Sequence, residues 1–343
     1  MNILQSKIYQ EDIKKSLINI LKIEELKNSR ILITGATGLV CSAIVDLLIS
    51  ADLNITIYAA ARNEKKVSER FEGKVYYLPY EATKTILFDV DVDYIIHGAS
   101  NASPDLYLNE PVETMLGNIN GIQNLLDYAY RKSVKKVIYV SSSEVYGRKE
   151  IVEPFKENQY GFIDLLNPRS SYSIAKRAAE TLCVSYHSEY GVSFNVVRPG
   201  HIYGPSASRG DKRVSSDFAY KAAEGQNLVL KSKGKQIRSY CYSLDCASAI
   251  LCVLADGKDG EAYNISNRES IINIMEMAKY LAEAGDVEVI LDIPNEMESV
   301  AFNSMDNSSL DSTKIESLGW KGLFTAEEGL RHTVEILREI VQK

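Results

Sequence analysis

Ile31-Leu-Ile-Thr34-Gly35-Ala-Thr-Gly38-Leu39-Val40 passes from an apolar run through a glycine-rich turn into a second apolar stretch. An apolar strand, then glycines, then a helix start is how a chain holds the pyrophosphate of a dinucleotide. Gly35 and Gly38 stand where the backbone must turn tightly and come close to phosphate oxygens. A third glycine is expected at position 41. This chain has Cys41, small enough for a helix but able to alter how closely that helix approaches a cofactor. A plain strand-to-helix turn is the alternative for the run taken alone.

Outward from this turn, short apolar runs alternate with amphipathic stretches. The spacing predicts helices over 39–49, 115–130 and 172–190, and strands over 31–33, 55–61, 75–78, 94–97, 136–140 and 194–197. Such alternation implies an α/β fold: a Rossmann-type doubly wound parallel sheet covered on both faces, with ligands beyond the C-terminal strand ends. After Gly200 the alternation loosens. Loops rich in Ser, Gly and charge over 206–216 and 231–236 separate short apolar pieces from helices near 272–284 and 325–341. The expected organisation is an N-terminal helical extension over 1–29, a dinucleotide-binding domain over 30–200, and 201–343 as mainly a smaller α/β substrate lobe. In the extension Ile13, Leu17, Ile20, Leu21 and Leu26 recur at helical spacing, either as a helix packed on the outside of the domain or as an arm for a partner.

With 343 residues, 45% hydrophobic and 25% charged, the chain is long enough to bury a substantial core. Its apolar stretches are too short to span a bilayer. The start, Met1-Asn-Ile-Leu-Gln-Ser-Lys7, lacks the basic residues and apolar run of a signal peptide, so a cytoplasmic address is expected. Cys41, Cys183, Cys241, Cys246 and Cys252 show neither metal-ligand spacing nor an even disulfide set, and the four histidines are scattered, so no metal is expected. A net charge of −7 argues against nucleic-acid binding. An anionic substrate then needs a local cluster of arginine and lysine.

Tyr172-Ser-Ile-Ala-Lys176 places a phenol and an ammonium one helical turn apart on one face. There the ammonium can lower the phenol's pKa and make it a proton shuttle for a sugar or alcohol hydroxyl. The strand at 136–140 runs into Ser141-Ser-Ser-Glu144, which sets hydroxyls beside a cofactor. A carboxylate there is costly if buried and idle, so Glu144 is a candidate acid or base, with a loop-ordering salt bridge as the alternative. The strand over 55–61 ends in Ala-Arg62-Asn63 with no acidic residue for a ribose 2′-hydroxyl. Arginine there suits a 2′-phosphate and so NADP more than NAD, unless Arg62 is only a solvated loop residue.

Further runs make the chain resemble an extended short-chain dehydrogenase/reductase of the nucleotide-sugar epimerase/dehydratase family, over about residues 30–340. They include Asn118-Ile-Asn-Gly-Ile-Gln-Asn-Leu-Leu126, Arg198-Pro-Gly-His-Ile-Tyr-Gly-Pro205, Tyr263-Asn-Ile-Ser-Asn267 and Leu318-Gly-Trp320. Ala102-Ser-Pro104 ahead of Asn109-Glu-Pro111, Ser142-Ser-Glu144-Val-Tyr-Gly147, Pro168-Arg-Ser-Ser-Tyr172, Lys176-Arg-Ala-Ala-Glu180 and Lys212-Arg-Val-Ser-Ser-Asp-Phe218 are most similar to the UDP-glucuronate decarboxylase and 4,6-dehydratase branch. The resemblance implies Tyr172 as base, Lys176 on the nicotinamide ribose and the phenolate, Ser142 on the reacting oxygen, and Glu144 on a second proton beside a transient C4 ketone. It implies cofactor contacts at Gly35, Thr37, Gly38, Leu39, Val40, Arg62, Ala99, Asn118, Tyr172, Lys176 and Pro199. Substrate contacts are implied at Ser143, His201, Arg213 and Arg238, the two arginines on the diphosphate unless they are surface charge. It further implies a homodimer through helices 115–130 and 172–190, and a place in making surface polysaccharide precursors. Three reactions stay open: dehydration, decarboxylation or epimerisation through C4 oxidation; net reduction of a nucleotide-linked ketose or keto-sugar by NADPH; or silent binding. His201 replaces the pattern's usual Asn, 292–310 lacks an arginine for a sugar carboxylate, and 76–82 lacks a Gly-Asp adenine contact. These departures weigh against decarboxylation in particular.

Overall fold

The computed structural model describes residues 3–100, 104–149, 153–293 and 306–341. Its strands in chain order are β1 (Arg30–Thr34), β2 (Thr56–Ala61), β3 (Tyr76–Pro79), β4 (Tyr94–His97), β5 (Lys136–Val140) and β6 (Phe194–Pro199). They continue with β7 (His201–Tyr203), β8 (Leu228–Leu230), β9 (Ile237–Tyr242), β10 (Ala262–Ile265), β11 (Ile271–Asn273) and β12 (Val289–Leu291). Among the described residues the main sheet has the order β10-β6-β5-β4-β1-β2-β3, every pair parallel. The order reverses between β1 and β4, which opens a crevice above their C-terminal ends.

The two-residue period of the strands divides the core. Ile31, Ile33, Ile57, Ala59, Ile96 and Ile138 face one apolar layer, which includes the helices Leu39–Ser50 and Ser243–Asp256. Leu32, Ala60, Ile95, Val137 and Tyr139 face the other, against the helices Pro111–Lys132 and Ser171–Tyr190. Both faces are covered, which is why these strands read as continuous apolar runs.

Ser243–Asp256 is apolar nearly all round and buried along almost its whole length, so it carries no amphipathic period for sequence reasoning to find. This helix and β10 return the chain to the main sheet after residue 200. Part of the main sheet and its covering helix thus come from beyond residue 200. The smaller lobe is formed by the sheet β11-β9-β7, the parallel pair β8–β12, and the helices Val214–Ala223, Ile274–Gly285 and Ala326–Val341.

The N-terminal helix Lys7–Ile18 is packed into the molecule and is not a free arm. Its Tyr9 hydroxyl donates to Asp46 Oδ2 at 2.8 Å, and Asp46 is also paired with Arg70. Asp12 accepts from Tyr242 at 3.1 Å and contacts His332 Nδ1 at 2.9 Å, joining both ends of the chain to β9.

Candidate active site

The turn after β1 fits a dinucleotide. Gly35 has φ +70°, and a Cβ there would lie 2.9 Å from the Ala99 backbone, so the β1 and β4 ends close together only over glycine. Gly38 is the N-cap of Leu39–Ser50, so the first amides of that helix, at Leu39 and Val40, follow directly on the turn beyond β1, with Thr37 beside them. Ala99 N–H donates to Thr34 Oγ1 at 3.3 Å. Buried Asn118 fixes the loop after β4, accepting from Ser100 at 2.9 Å and donating to Thr114 O at 2.7 Å. Pro199 is buried at the end of β6. Arg62 is exposed at the end of β2, near enough to the Glu81 carboxylate to help lower its pKa, behind the larger effect of Lys84.

Cys41, in place of the third glycine, is buried with its Sγ directly over Gly98, where any Cβ would collide with the sulfur. Gly98 thus supplies the room that position 41 does not. Burial pushes the Cys41 thiol up to about 12, so it is not a nucleophile. Gly98→Ala is expected to cost about 1–3 kcal/mol by overpacking, and adding Cys41→Gly should recover most of that loss. Urea unfolding of the four proteins measures this coupling, and additive losses would contradict it.

Tyr172, Lys176 and Glu180 lie at i, i+4 and i+8 on the buried face of Ser171–Tyr190. Lys176 Nζ donates to Val140 O at 2.8 Å and lies 4.7 Å from the Tyr139 ring centre and 5.7 Å from that of Tyr172. Burial pulls this ammonium down to about 7. Burial first, and then the Glu144 carboxylate, push the Tyr172 phenol up to about 12, while the hydroxyls of Ser142 and Tyr107, followed by the Arg213 charge, pull it back. The phenol's pKa, expected to be lowered by Lys176, is raised in this structure, with burial as the largest cause. Lys176 gives one of its three N–H donors to the Val140 carbonyl, and the Ser142 and Tyr107 hydroxyls partly offset the effect of burial on the phenol.

Ser142 caps the 3₁₀ turn Ser143–Tyr146, with its Oγ accepting from Glu144 N–H at 3.2 Å; buried Ser143 starts the turn. Both Glu144 oxygens accept from Arg169, at 2.9 and 3.0 Å, and Ser173 Oγ donates to Oε2 at 3.1 Å. Glu144 is thus ion-paired and also faces the phenol. Arg198, buried behind the site, grips Glu180 at 3.0 and 2.6 Å, and Ser141 Oγ adds a bond to Glu180 at 2.6 Å. This buried pair fixes helix Ser171–Tyr190 against β6, and removing either partner would leave an uncompensated buried charge.

On the lobe side, Arg238 of β9 is 3% exposed, so it is not surface charge. Its Nη1 donates to Ile237 O at 2.8 Å, and no carboxylate among the described residues pairs with it. Burial lowers its pKa, partly offset by Tyr240, Glu144 and Asp306. Arg213 is held by Asp211 and is a third exposed. His201 lies beside both: burial, then Arg238 and Arg213, hold its imidazole well below the usual range, at about 3, and its buried Nδ1 has no partner among the described residues. The structure therefore brings Ser142, Glu144, Tyr172, Arg238, Arg213 and His201 together around one crevice. Arg62 stands apart at the far end, beyond β2. Of the segment 292–310, which lacks an arginine for a sugar carboxylate, residues 294–305 lie outside the described residues.

Sequence reasoning missed Tyr107 and Arg169 as site residues. Tyr107 is stacked on Tyr172 with ring centres 4.4 Å apart at 13°. Tyr107 lies in a stretch with no motif of its own. Arg169 had a signal, a cation three residues before the phenol at the mouth of the same helix.

Among the described residues no group of histidine, cysteine and acidic side chains could hold a metal ion, and no helix is long and apolar enough to cross a membrane. Residues 31–266 match the model of the NAD dependent epimerase/dehydratase family. The chain is 30% identical over 326 residues to UDP-glucuronic acid decarboxylase 1 of Xenopus tropicalis, covering 92% of this chain and 74% of that one. It is 32% identical over 313 residues to UDP-glucuronic acid decarboxylase 6 of Arabidopsis thaliana, covering 88% and 87%. A UDP-glucose 4-epimerase from Thermotoga maritima, solved with UDP-glucose, superposes with a TM-score of 0.78 at 25% identity, covering 91% and 99%. The fold is also shared with a dTDP-glucose 4,6-dehydratase from Bacillus anthracis solved with NAD, at a TM-score of 0.76 and 21% identity, covering 91% and 97%. With its parallel sheet, glycine turn and Tyr172/Lys176 helix, the chain belongs to the NAD dependent epimerase/dehydratase family and is an enzyme of the extended short-chain dehydrogenase/reductase type.

Proposed function

We propose that this protein modifies a nucleotide-activated sugar through temporary oxidation at C4, ending in dehydration, decarboxylation or epimerisation. The observation that carries this reading is the convergence of Tyr172, Ser142 and ion-paired Glu144 beside a buried Arg238 that forms an ion pair with no carboxylate among the described residues. A nicotinamide dinucleotide, when bound, supplies the electron sink for C4. Gly35, Gly38 and the first amides of helix Leu39–Ser50 hold its pyrophosphate, and Lys176 holds the ribose side. Tyr172, as a phenolate favoured by the Ser142 and Tyr107 hydroxyls and by the positive charge the oxidised cofactor would bring, takes the proton of the C4 hydroxyl, and Ser142 aligns that oxygen. Glu144 moves the proton on the carbon next to the C4 ketone, whose acidity the ketone raises. Arg238, and Arg213 behind it, bind the diphosphate. The relatives named above, decarboxylases of UDP-glucuronic acid, support a UDP-sugar as the first substrate to test. Arg62 without a β2 carboxylate supports NADP over NAD, although Glu81 nearby tempers that preference. A role in making surface polysaccharide precursors is part of this reading.

Incubating the cofactor-loaded protein with a panel of nucleotide sugars tests the proposal by mass spectrometry. Loss of carbon dioxide or water, or an isobaric conversion, is expected; no conversion of any member would overturn it. A second reading, net NADPH-dependent reduction of a nucleotide-linked keto-sugar, draws on the ion pair that ties Glu144 to Arg169. Glu144→Gln separates the two. Net reduction should survive the change, whereas dehydration or decarboxylation should fall by about 10²-fold.

The homodimer is proposed on the outer face of the helices Pro111–Lys132 and Ser171–Tyr190, where Val112, Leu116, Tyr130, Val184 and Tyr190 are exposed. An apolar stripe of this kind on two packed helices suits a four-helix interface. Light scattering should give twice the chain mass, and Leu116→Asp should halve it; a monomeric mass for the unaltered chain would contradict the dimer.

A further inference from the structure

Arg169 sits in the 3₁₀ turn Pro168–Ser170 that leads into helix Ser171–Tyr190, with its backbone N–H donating to Asn167 Oδ1 at 2.9 Å. Its guanidinium makes two kinds of contact at once. In its plane, Nη1 and Nη2 donate to the two oxygens of Glu144 at 2.9 and 3.0 Å. Across its face, the same group lies 4.8 Å from the centre of the Tyr107 ring, which stacks on Tyr172. Ser173, next to Tyr172 in sequence, closes the circuit by donating to Glu144 at 3.1 Å.

We propose that Arg169 is the positioning residue for both proton carriers of this site: it fixes the Glu144 carboxylate through its fork and the Tyr172 phenol through the Tyr107 stack. The proposal rests on the reading of Tyr172 and Glu144 given above. A planar guanidinium can hold a carboxylate edge-on and an aromatic ring face-on simultaneously, which an ammonium cannot. The consequence is mechanical. A sugar entering the crevice meets a carboxylate and a phenol whose separation is set by one side chain. That side chain is rooted in the turn that leads directly into the phenol's helix.

The test uses the full-length, cofactor-loaded chain with Arg169→Ala and Arg169→Lys. On a nucleotide sugar converted by the unaltered protein, Arg169→Ala is expected to lower kcat by about 10²-fold while KM changes much less. Millimolar guanidinium should restore about tenfold of the loss, whereas the same concentration of sodium should restore none. Arg169→Lys should remain impaired, because it keeps the charge and loses the fork and the ring contact. A readout independent of turnover is carbon-13 NMR of Cζ-labelled tyrosine, assigned with Tyr107→Phe and Tyr172→Phe. Both resonances should move in Arg169→Ala as the stack loosens. Full activity in Arg169→Lys, no guanidinium rescue in a folded Arg169→Ala, or unmoved Tyr107 and Tyr172 resonances would each overturn the assignment. If the unaltered protein converts no nucleotide sugar, the proposed function fails, and the NMR comparison alone decides the role of Arg169.

Discussion

Tyr172→Phe should lower kcat by about 10³-fold, within the range for removing a positioned acid–base group, and leave the fold intact. The ring is 5% exposed and stacks on Tyr107, and phenylalanine preserves both the packing and the stack. What disappears is one oxygen, the atom on which the hydroxyls of Ser142 and Tyr107 converge. The Tyr107 and Ser142 hydroxyls then lose a partner, so a small loss of stability, about 1 kcal/mol, accompanies the loss of rate. Comparing kcat with the urea midpoint distinguishes this outcome from unfolding. A variant that keeps more than about a tenth of the rate would remove Tyr172 from the chemistry.

The second large effect is expected at Lys176. Its ammonium is buried and pulled down to about 7 from 10.5. Between those values the unfolded chain holds a proton that the folded chain has released, so stability rises with pH across this window. Below about 7 the penalty is present in full; above 10.5 it is gone. At about 1.4 kcal/mol per unit, the penalty near neutral pH is of order 5 kcal/mol. Against it stands the bond to Val140 O, whose loss costs about 1–3 kcal/mol. Lys176→Met should therefore be more stable than the unaltered protein near pH 7, by about 2–4 kcal/mol, and inactive. The advantage should shrink and then reverse as pH approaches 10. Urea unfolding of both proteins at several pH values measures it, and a methionine variant less stable at pH 7 would contradict the burial argument. A lysine kept at such a cost fits a site that holds strain for function.

Much of the architecture was legible because buried parallel strands announce themselves as apolar runs. Tyr94–His97 and Lys136–Val140 have the predicted bounds, and Ser171–Tyr190 begins one residue before its predicted start. Ser243–Asp256 was not legible, since a helix apolar on every side has no period to detect, and β10 was quoted only as part of a motif. The site divides in the same way. Tyr172 and Lys176 stand out because their spacing is a property of one helix. The grip of Arg169 on Glu144 joins residues 25 apart, and the stack of Tyr107 on Tyr172 joins two elements, so neither is written in local spacing. The direction of the Tyr172 pKa was not legible for a related reason. Spacing placed the ammonium near the phenol, but only the structure shows how deeply both are buried and that one ammonium N–H is given to Val140 O.

The most direct test of redox chemistry at Tyr172 is a single-turnover stopped-flow record of the nicotinamide absorbance, with the oxidised cofactor bound and a converted nucleotide sugar added. A rise followed by a return to the starting value, abolished in Tyr172→Phe, is the predicted result. Product formation with a flat trace, or an identical transient in Tyr172→Phe, would contradict the account.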